Sequence, residues 1–305
     1  MAPGDRLRFD LPAALLPTHT PVEIPLTVLH GKRKGPVLWV SAALHGDELN
    51  GVEVITQVLD QLREPLERGT LIAAPIVNVF GFINQSRYFP DRRDLNRSFP
   101  GSKTGSLASR IAHLFVKEIV SKCNYGLDLH TASLQRVNLP QIRANLEDPE
   151  TLKIAKAFGA PVMVHSPVRS GSLRGTAVKL GITALVYEGG ESQRFNPDAI
   201  EVGVAGVLGV IRRLGMIEKQ KSLVSKSIRL ARSTWVRARR GGLLRLIVKT
   251  GDRVTDKQVL GTVGDPFGGE RVLVRAPFDG VVIGASLNPV VHGGDAVIHI
   301  GCRTA

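Results

Sequence analysis

The chain has 305 residues, a formal net charge of +13 and two cysteines, Cys123 and Cys302. This length allows one large domain or two unequal ones with an ample core. No stretch reaches the ~20 apolar residues of a membrane span, and the two thiols are too far apart for a CxxC pair.

The opening stretch MAPGDRLRFDLPAALLP has an early aspartate and no long apolar core, so it reads as no signal peptide and a cytoplasmic chain. Residues 1–30 alternate in hydropathy (VEIPLTVLH) and predict a first strand. Residues 36–44 (PVLWVSAAL) are apolar throughout, as in a strand buried on both faces of a parallel sheet. His45-Gly46-Asp47-Glu48 follows directly, then a helix over 48–62 with Asp47 as N-cap. Next come a buried strand at 71–77 and a long polar loop at 78–105. A helix is expected at 107–120, with Ile111, Leu114, Phe115 and Ile119 on one face, then a strand over 125–129 that ends at His130. After another polar loop the pattern gives a helix near 149–158, a strand near 161–165 and a Gly/Ser loop at 166–175 leading into a short helix. A strand at 182–187 delivers Glu188, and a long helix covers 198–214. This alternation argues for an α/β fold.

The composition changes after about residue 219. A basic run from Arg212 to Arg245 has Glu218 as its only acid. No nucleic-acid motif accompanies it, so it reads as a solvated linker and strand face, with neither nucleic acid nor membrane as partner. From residue 227 on, short valine- and glycine-rich strands replace helices. Residues 242–263 and 280–300 repeat one pattern, which resembles the two halves of a barrel-sandwich hybrid, the fold of lipoyl and biotinyl carriers. The stretch between the halves, Asp265-Pro266-Phe267-Gly268-Gly269-Glu270-Arg271, holds no lysine, so a carrier role is not expected. The expected division is 1–222, a catalytic domain, and 223–305, a small β domain.

Four fragments fit one zinc site. His45 and Glu48 follow one strand, and His130 ends another, at the carboxyl ends where open α/β sheets place their sites. Two histidines and a carboxylate are the usual protein shell of a hydrolytic zinc ion. Glu188-Gly189-Gly190 and the run 87–97 (RYFPDRRDLNR) complete the set. His113, His165, His292 and His299 stand alone and receive no role.

Together, HxxE at 45–48, DLNRSFPG at 94–101, DLH at 128–130 and the late Glu-Gly-Gly make the chain resemble the succinylglutamate desuccinylase/aspartoacylase family, relatives of the zinc carboxypeptidases. The resemblance implies a zinc-carboxypeptidase-like mixed sheet flanked by helices, followed by the small β domain. It implies Zn2+ on His45, Glu48 and His130, with Glu188 as general base and acid. Arg87 would polarise the scissile carbonyl. Asn96 and Arg97 would hold the substrate carboxylate, and Arg174 would add a second substrate contact. The implied activity is hydrolysis of an N-acyl amino acid, and the family points to a homo-oligomer. Aspartoacylases bring a tyrosine into the site from the smaller domain; here no tyrosine follows Tyr187. A metallocarboxypeptidase acting on short peptides and a non-catalytic binding module are the alternatives. Asp128 sits two residues before His130 on the same side of its strand, placed to orient that histidine.

Overall fold

The computed structural model describes residues 1–133, 135–218 and 227–303. Strands β1 (Arg6–Leu15) and β2 (Pro21–His30) form an antiparallel hairpin at one edge of a mixed sheet. Its centre is parallel: β3 (Val37–Ala42) lies between β4 (Thr70–Ala74) and β5 (Tyr125–His130), and β8 (Thr183–Gly190) pairs with β5. The carboxyl ends of β3, β5 and β8 therefore open on the same edge of the sheet.

Helices cover both faces, which is why β3 is apolar at nearly every position. On one side, α1 (Asn50–Gln61), α4 (Pro149–Phe158) and α6 (Pro197–Arg213) bring Val54, Phe158 and Val207 onto Leu38 and Leu127. On the other, α3 (Leu107–Glu118) and α5 (Leu173–Lys179) enclose Trp39 with Phe115 and Ala177. Trp39 fits because its neighbour across the sheet is Gly126; a Cβ there would overlap the indole.

Three local expectations are corrected. Helix α1 starts later than expected. Its N-cap is Leu49, and Asp47 makes no cap; its Oδ1 is buried without a hydrogen-bond partner. Residues 78–105 are not all loop. They contain the short helix α2 (Val79–Ile83), whose N-cap Asn78 accepts from Gly81 N at 2.8 Å, and a 3-10 turn at Leu95–Arg97. The polar stretch after His130 holds a full strand, β6 (Arg136–Ala144), antiparallel to β8. Pro140 disguises it by breaking a strand pattern; in the fold it falls at the register shift between Asn138 and Gln141.

The C-terminal segment is all strand and turn, and the boundary expected at 222/223 lies outside the described residues. It contains β9 (Ile228–Arg237), β10 (Gly242–Leu246), β11 (Arg253–Val254), β12 (Val259–Gly264), β13 (Arg271–Arg275), β14 (Gly280–Ser286), β15 (Val290–Val291) and β16 (Ala296–Arg303). Strands β10, β12, β13 and β15 form a four-stranded sheet. The other long strands do not stay apart from the α/β part. β9 pairs with β7 (Val162–His165), β16 with β9, β14 with β16, and β14 with the start of β6. Since β6 also pairs with β7, these five strands close into a barrel-like ring. No helix among the described residues is long and apolar enough to cross a membrane.

Candidate active site

His45 and Glu48 occupy the turn between β3 and α1, closed by Glu48 N donating to His45 O at 3.1 Å. The turn seats Gly46 against the Gly81–Phe82 backbone of α2, so closely that any side chain at 46 would overlap it. His130 ends β5. The three residues are buried, and their ligand atoms lie within 4.8 Å of one another.

Glu48 lies between the imidazoles. Its Oε1 is 2.8 Å from His45 Nδ1 and its Oε2 is 2.7 Å from His130 Nδ1. The outer nitrogens meet further carboxylates: His45 Nε2 is 3.1 Å from Asp94 Oδ1, and His130 Nε2 is 2.8 Å from Asp128 Oδ2. Asp128 also accepts from Ser41 Oγ at 2.9 Å. The chemistry of this donor set fits a zinc ion. Two Nδ1 atoms and one carboxylate converge, and each histidine is oriented from behind by an acid. Burial alone disfavours every charge here, but the pairs outweigh it. Burial raises Glu48, yet His45 and His130 hold it far below the usual carboxylate range. Burial lowers His130, yet Asp128 and Glu48 hold it well above an ordinary histidine.

Arg87 bridges the cluster to the 87–97 loop, donating to Glu48 Oε1 at 3.2 Å and Asp94 Oδ2 at 3.0 Å. Asp94 orders that loop by accepting from Asn96 N at 2.8 Å. Asn96 in turn accepts from Leu173 N at 3.0 Å, and its amide nitrogen lies 3.5 Å from His130 Nε2. Arg97 points from the 3-10 turn into the cleft and is exposed. Arg174 is buried and donates to the carbonyls of Ser166 at 3.1 Å and Pro167 at 2.8 Å. Burial, with Arg143 nearby, depresses its guanidinium to about 10.

Glu188 is the register partner of His130 across β5 and β8. It accepts from Asn138 Nδ2 at 2.7 Å and pairs with Arg143 at 3.5 Å. The two glycines after it are fixed by close packing. Both lie within β8, where a Cβ on Gly189 would meet the Tyr187 hydroxyl and one on Gly190 would meet Asn50 and Asn196.

His45, Glu48, Arg87, Asn96, Arg97, His130, Arg174 and Glu188 line one cleft of about 740 Å³. Its walls also include residues that sequence reasoning passes over: Arg136, Asn138 and Arg143 of β6, Trp235 of β9 and His299 of β16. The alternation Arg136-Val137-Asn138-Leu139 was a strand signal for the first two. No local signal exists for Trp235 and His299, which arrive through long-range pairing. Among the described residues the C-terminal segment enters the cleft through the strands β9 and β16 and not through the loops 266–271 and 286–294.

The fold is that of a known class. Residues 34–214 match the succinylglutamate desuccinylase/aspartoacylase catalytic domain, and the chain belongs to that family. It is 30% identical over 290 residues to N-alpha-acetyl-L-2,4-diaminobutyric acid deacetylase of Halomonas elongata, covering 90% of this chain and 84% of that protein. A succinylglutamate desuccinylase/aspartoacylase structure from Rhodobacter sphaeroides superposes with a TM-score of 0.86 at 26% identity, covering 98% of this chain and 95% of the other. The product-bound ectoine utilization protein EutE (DoeB) from Ruegeria pomeroyi gives 0.86 at 26% identity, covering 98% and 97%.

Proposed function

We propose that the protein is a zinc-dependent amidohydrolase that removes the acyl group from an N-acyl amino acid. The observation that carries this reading is the convergence of His45, Glu48 and His130 beside Glu188 in a cleft lined by arginines. The named activity of the Halomonas relative supports it. Zinc on these three residues would supply Lewis acidity and lower the pKa of water.

The rest falls to the chain's own groups. Glu188, beside the cluster, takes a proton from the attacking water and returns it to the leaving nitrogen. Asn138 and Arg143 hold its carboxylate in place. Arg87 offers a fixed positive charge where oxyanion charge develops, a contribution of about 3–4 kcal/mol if it acts as other oxyanion donors do. Arg97 presents a planar fork to the substrate carboxylate and Asn96 a hydrogen bond. Arg174, already bound to backbone carbonyls, shapes that end of the cleft. We read 223–305 as an appended unit of the 1–222 hydrolase, one that supplies a wall of the cleft through Trp235 and His299.

The test is metal analysis of purified protein together with turnover on N-acyl amino acids, with acyl and amine parts varied separately. N-alpha-acetyl-L-2,4-diaminobutyrate belongs on the panel. Zinc at one per chain and chelator-sensitive release of the acyl group are expected. Release unaffected by chelation, or no release from any member, would overturn the reading.

A further inference from the structure

Arg136 is a cation with no direct ion pair: the nearby Asp295 carboxylate feels its charge but accepts from His292 N at 2.8 Å. Its guanidinium enters no hydrogen bond or ion pair among the described residues. Instead it lies 4.9 Å over the ring of Trp235. Trp235 is stacked in turn on His299, with ring centroids 4.7 Å apart and planes 11° from parallel. The stack is built into the barrel, because Trp235 and His299 are register partners across β9 and β16. All three residues line the cleft.

His299 is buried, and burial together with Arg143 and Arg136 depresses it to about 3. It therefore stacks as a neutral ring and sets no charge against Arg136. The cleft's own carboxylates are committed elsewhere: Glu48 to His45, His130 and Arg87, and Glu188 to Asn138 and Arg143. A guanidinium resting on an aromatic face keeps its in-plane N–H edge available. That edge matches a carboxylate bidentately. Arg97 stands on a different wall, on the 3-10 turn whose backbone meets Gly171.

We propose that Arg136, positioned by the Trp235–His299 stack, is a specificity-determining residue that binds a second carboxylate of the substrate, in addition to the one assigned to Arg97. The inference rests on the N-acyl amino acid reading above and deepens it. A residue held only for packing would not distinguish substrates by charge.

The test compares zinc-loaded wild type with Arg136→Gln, His299→Leu and His299→Phe. Substrates are taken in pairs that differ by one carboxylate. An N-succinyl and an N-acetyl derivative of one amino acid place the difference in the acyl half; N-acetylaspartate and N-acetylasparagine place it in the amine half. In Arg136→Gln, KM for the doubly charged member of one pair should rise about 10- to 100-fold, the value of a charge-assisted hydrogen bond. Its kcat and the singly charged member should change little, and the pair that responds identifies the half. His299→Leu should show part of this loss and His299→Phe, which keeps a stacking ring, should recover it. Equal losses on both members, or none, overturn the proposal. If the wild type hydrolyses no member, the deacylase reading fails, and calorimetric binding of the same compounds still decides the subsite. Tighter binding of the doubly charged member by wild type but not by Arg136→Gln supports it; equal binding by both overturns it.

Discussion

His130 and Glu188 are register partners on adjacent parallel strands, so the last residue of β5 and the carboxylate near the end of β8 stand at the same level of the sheet. The proposed base is thus set against the proposed metal ligands by backbone pairing and not by a loop. Glu188→Gln keeps the shape and the acceptor for Asn138, so zinc content should be normal. kcat should fall by about 10²–10⁴, the usual range for a general acid–base. A variant with normal zinc and most of its activity would assign the proton to another group.

His45, Glu48 and His130 are held in place by the β3–β5 pairing and by the turn from β3 into α1. Chelation should abolish activity and leave the circular dichroism spectrum unchanged. His130→Ala is different, because it strips a partner from two buried carboxylates, Glu48 and Asp128. It should lose metal and also cost about 3–5 kcal/mol in urea unfolding. Metal content equal to wild type in this variant would refute the ligand assignment.

Arg97→Lys keeps the charge but loses the planar fork. kcat/KM on a free-carboxylate substrate should drop, by about tenfold or more. Amidating that carboxylate should cost the wild type a similar factor and the variant little further. Equal wild-type rates on both substrates would remove Arg97 from substrate recognition.

Gly284 of β14 offers a probe of Glu188 from outside its strand. A Cβ at 284 would stand 2.9 Å from Asn138 Oδ1 and 3.4 Å from His299 Cβ. Asn138 must then shift, and its amide is the one that holds Glu188 at 2.7 Å. Gly284→Ala should therefore lower kcat several-fold while costing about 1–3 kcal/mol of stability, as overpacking does. Stability lost with kcat unchanged would show that Asn138 does not position the base.

His299 predicts a pH effect. Its folded value of about 3 lies below the ordinary 6.5, with burial the main cause. The unfolded chain takes up the proton first as pH falls, so stability is full above about 6.5 and declines toward 3. His299→Phe has no proton to bind. Its unfolding free energy from urea titration should gain on wild type as pH falls from 7.5 to 5, by up to about 1.4 kcal/mol for each pH unit below 6.5. A gap that stays constant with pH would mean the imidazole is not held neutral.

The parallel centre of the sheet was legible because β3, β5 and β8 are short apolar runs ending in chemically distinctive residues. His45, Glu48 and His130 could be grouped because spacing and strand ends bring such ligands together. β6 was hidden by Pro140, and α2 by its five-residue length in a polar setting. Asp47 looked like a cap because it precedes an apolar run, but the turn that presents Glu48 leaves it outside the helix. Trp235 and His299 carry no local mark. Their place in the cleft depends on β9 and β16 pairing with strands tens of residues earlier, and hydrophobic periodicity contains no information about such partners.

Strand β6 belongs at once to the catalytic sheet, through β8, and to the barrel-like ring, through β7 and β14. Excising the C-terminal strands would therefore not release a tidy hydrolase. It would strip β14 from the start of β6 and β9 from β7, leaving raw hydrogen-bonding edges of the kind that recruit other chains and aggregate. A shortened version made for engineering would need those edges covered, and a cleft wall rebuilt where Trp235 and His299 had stood.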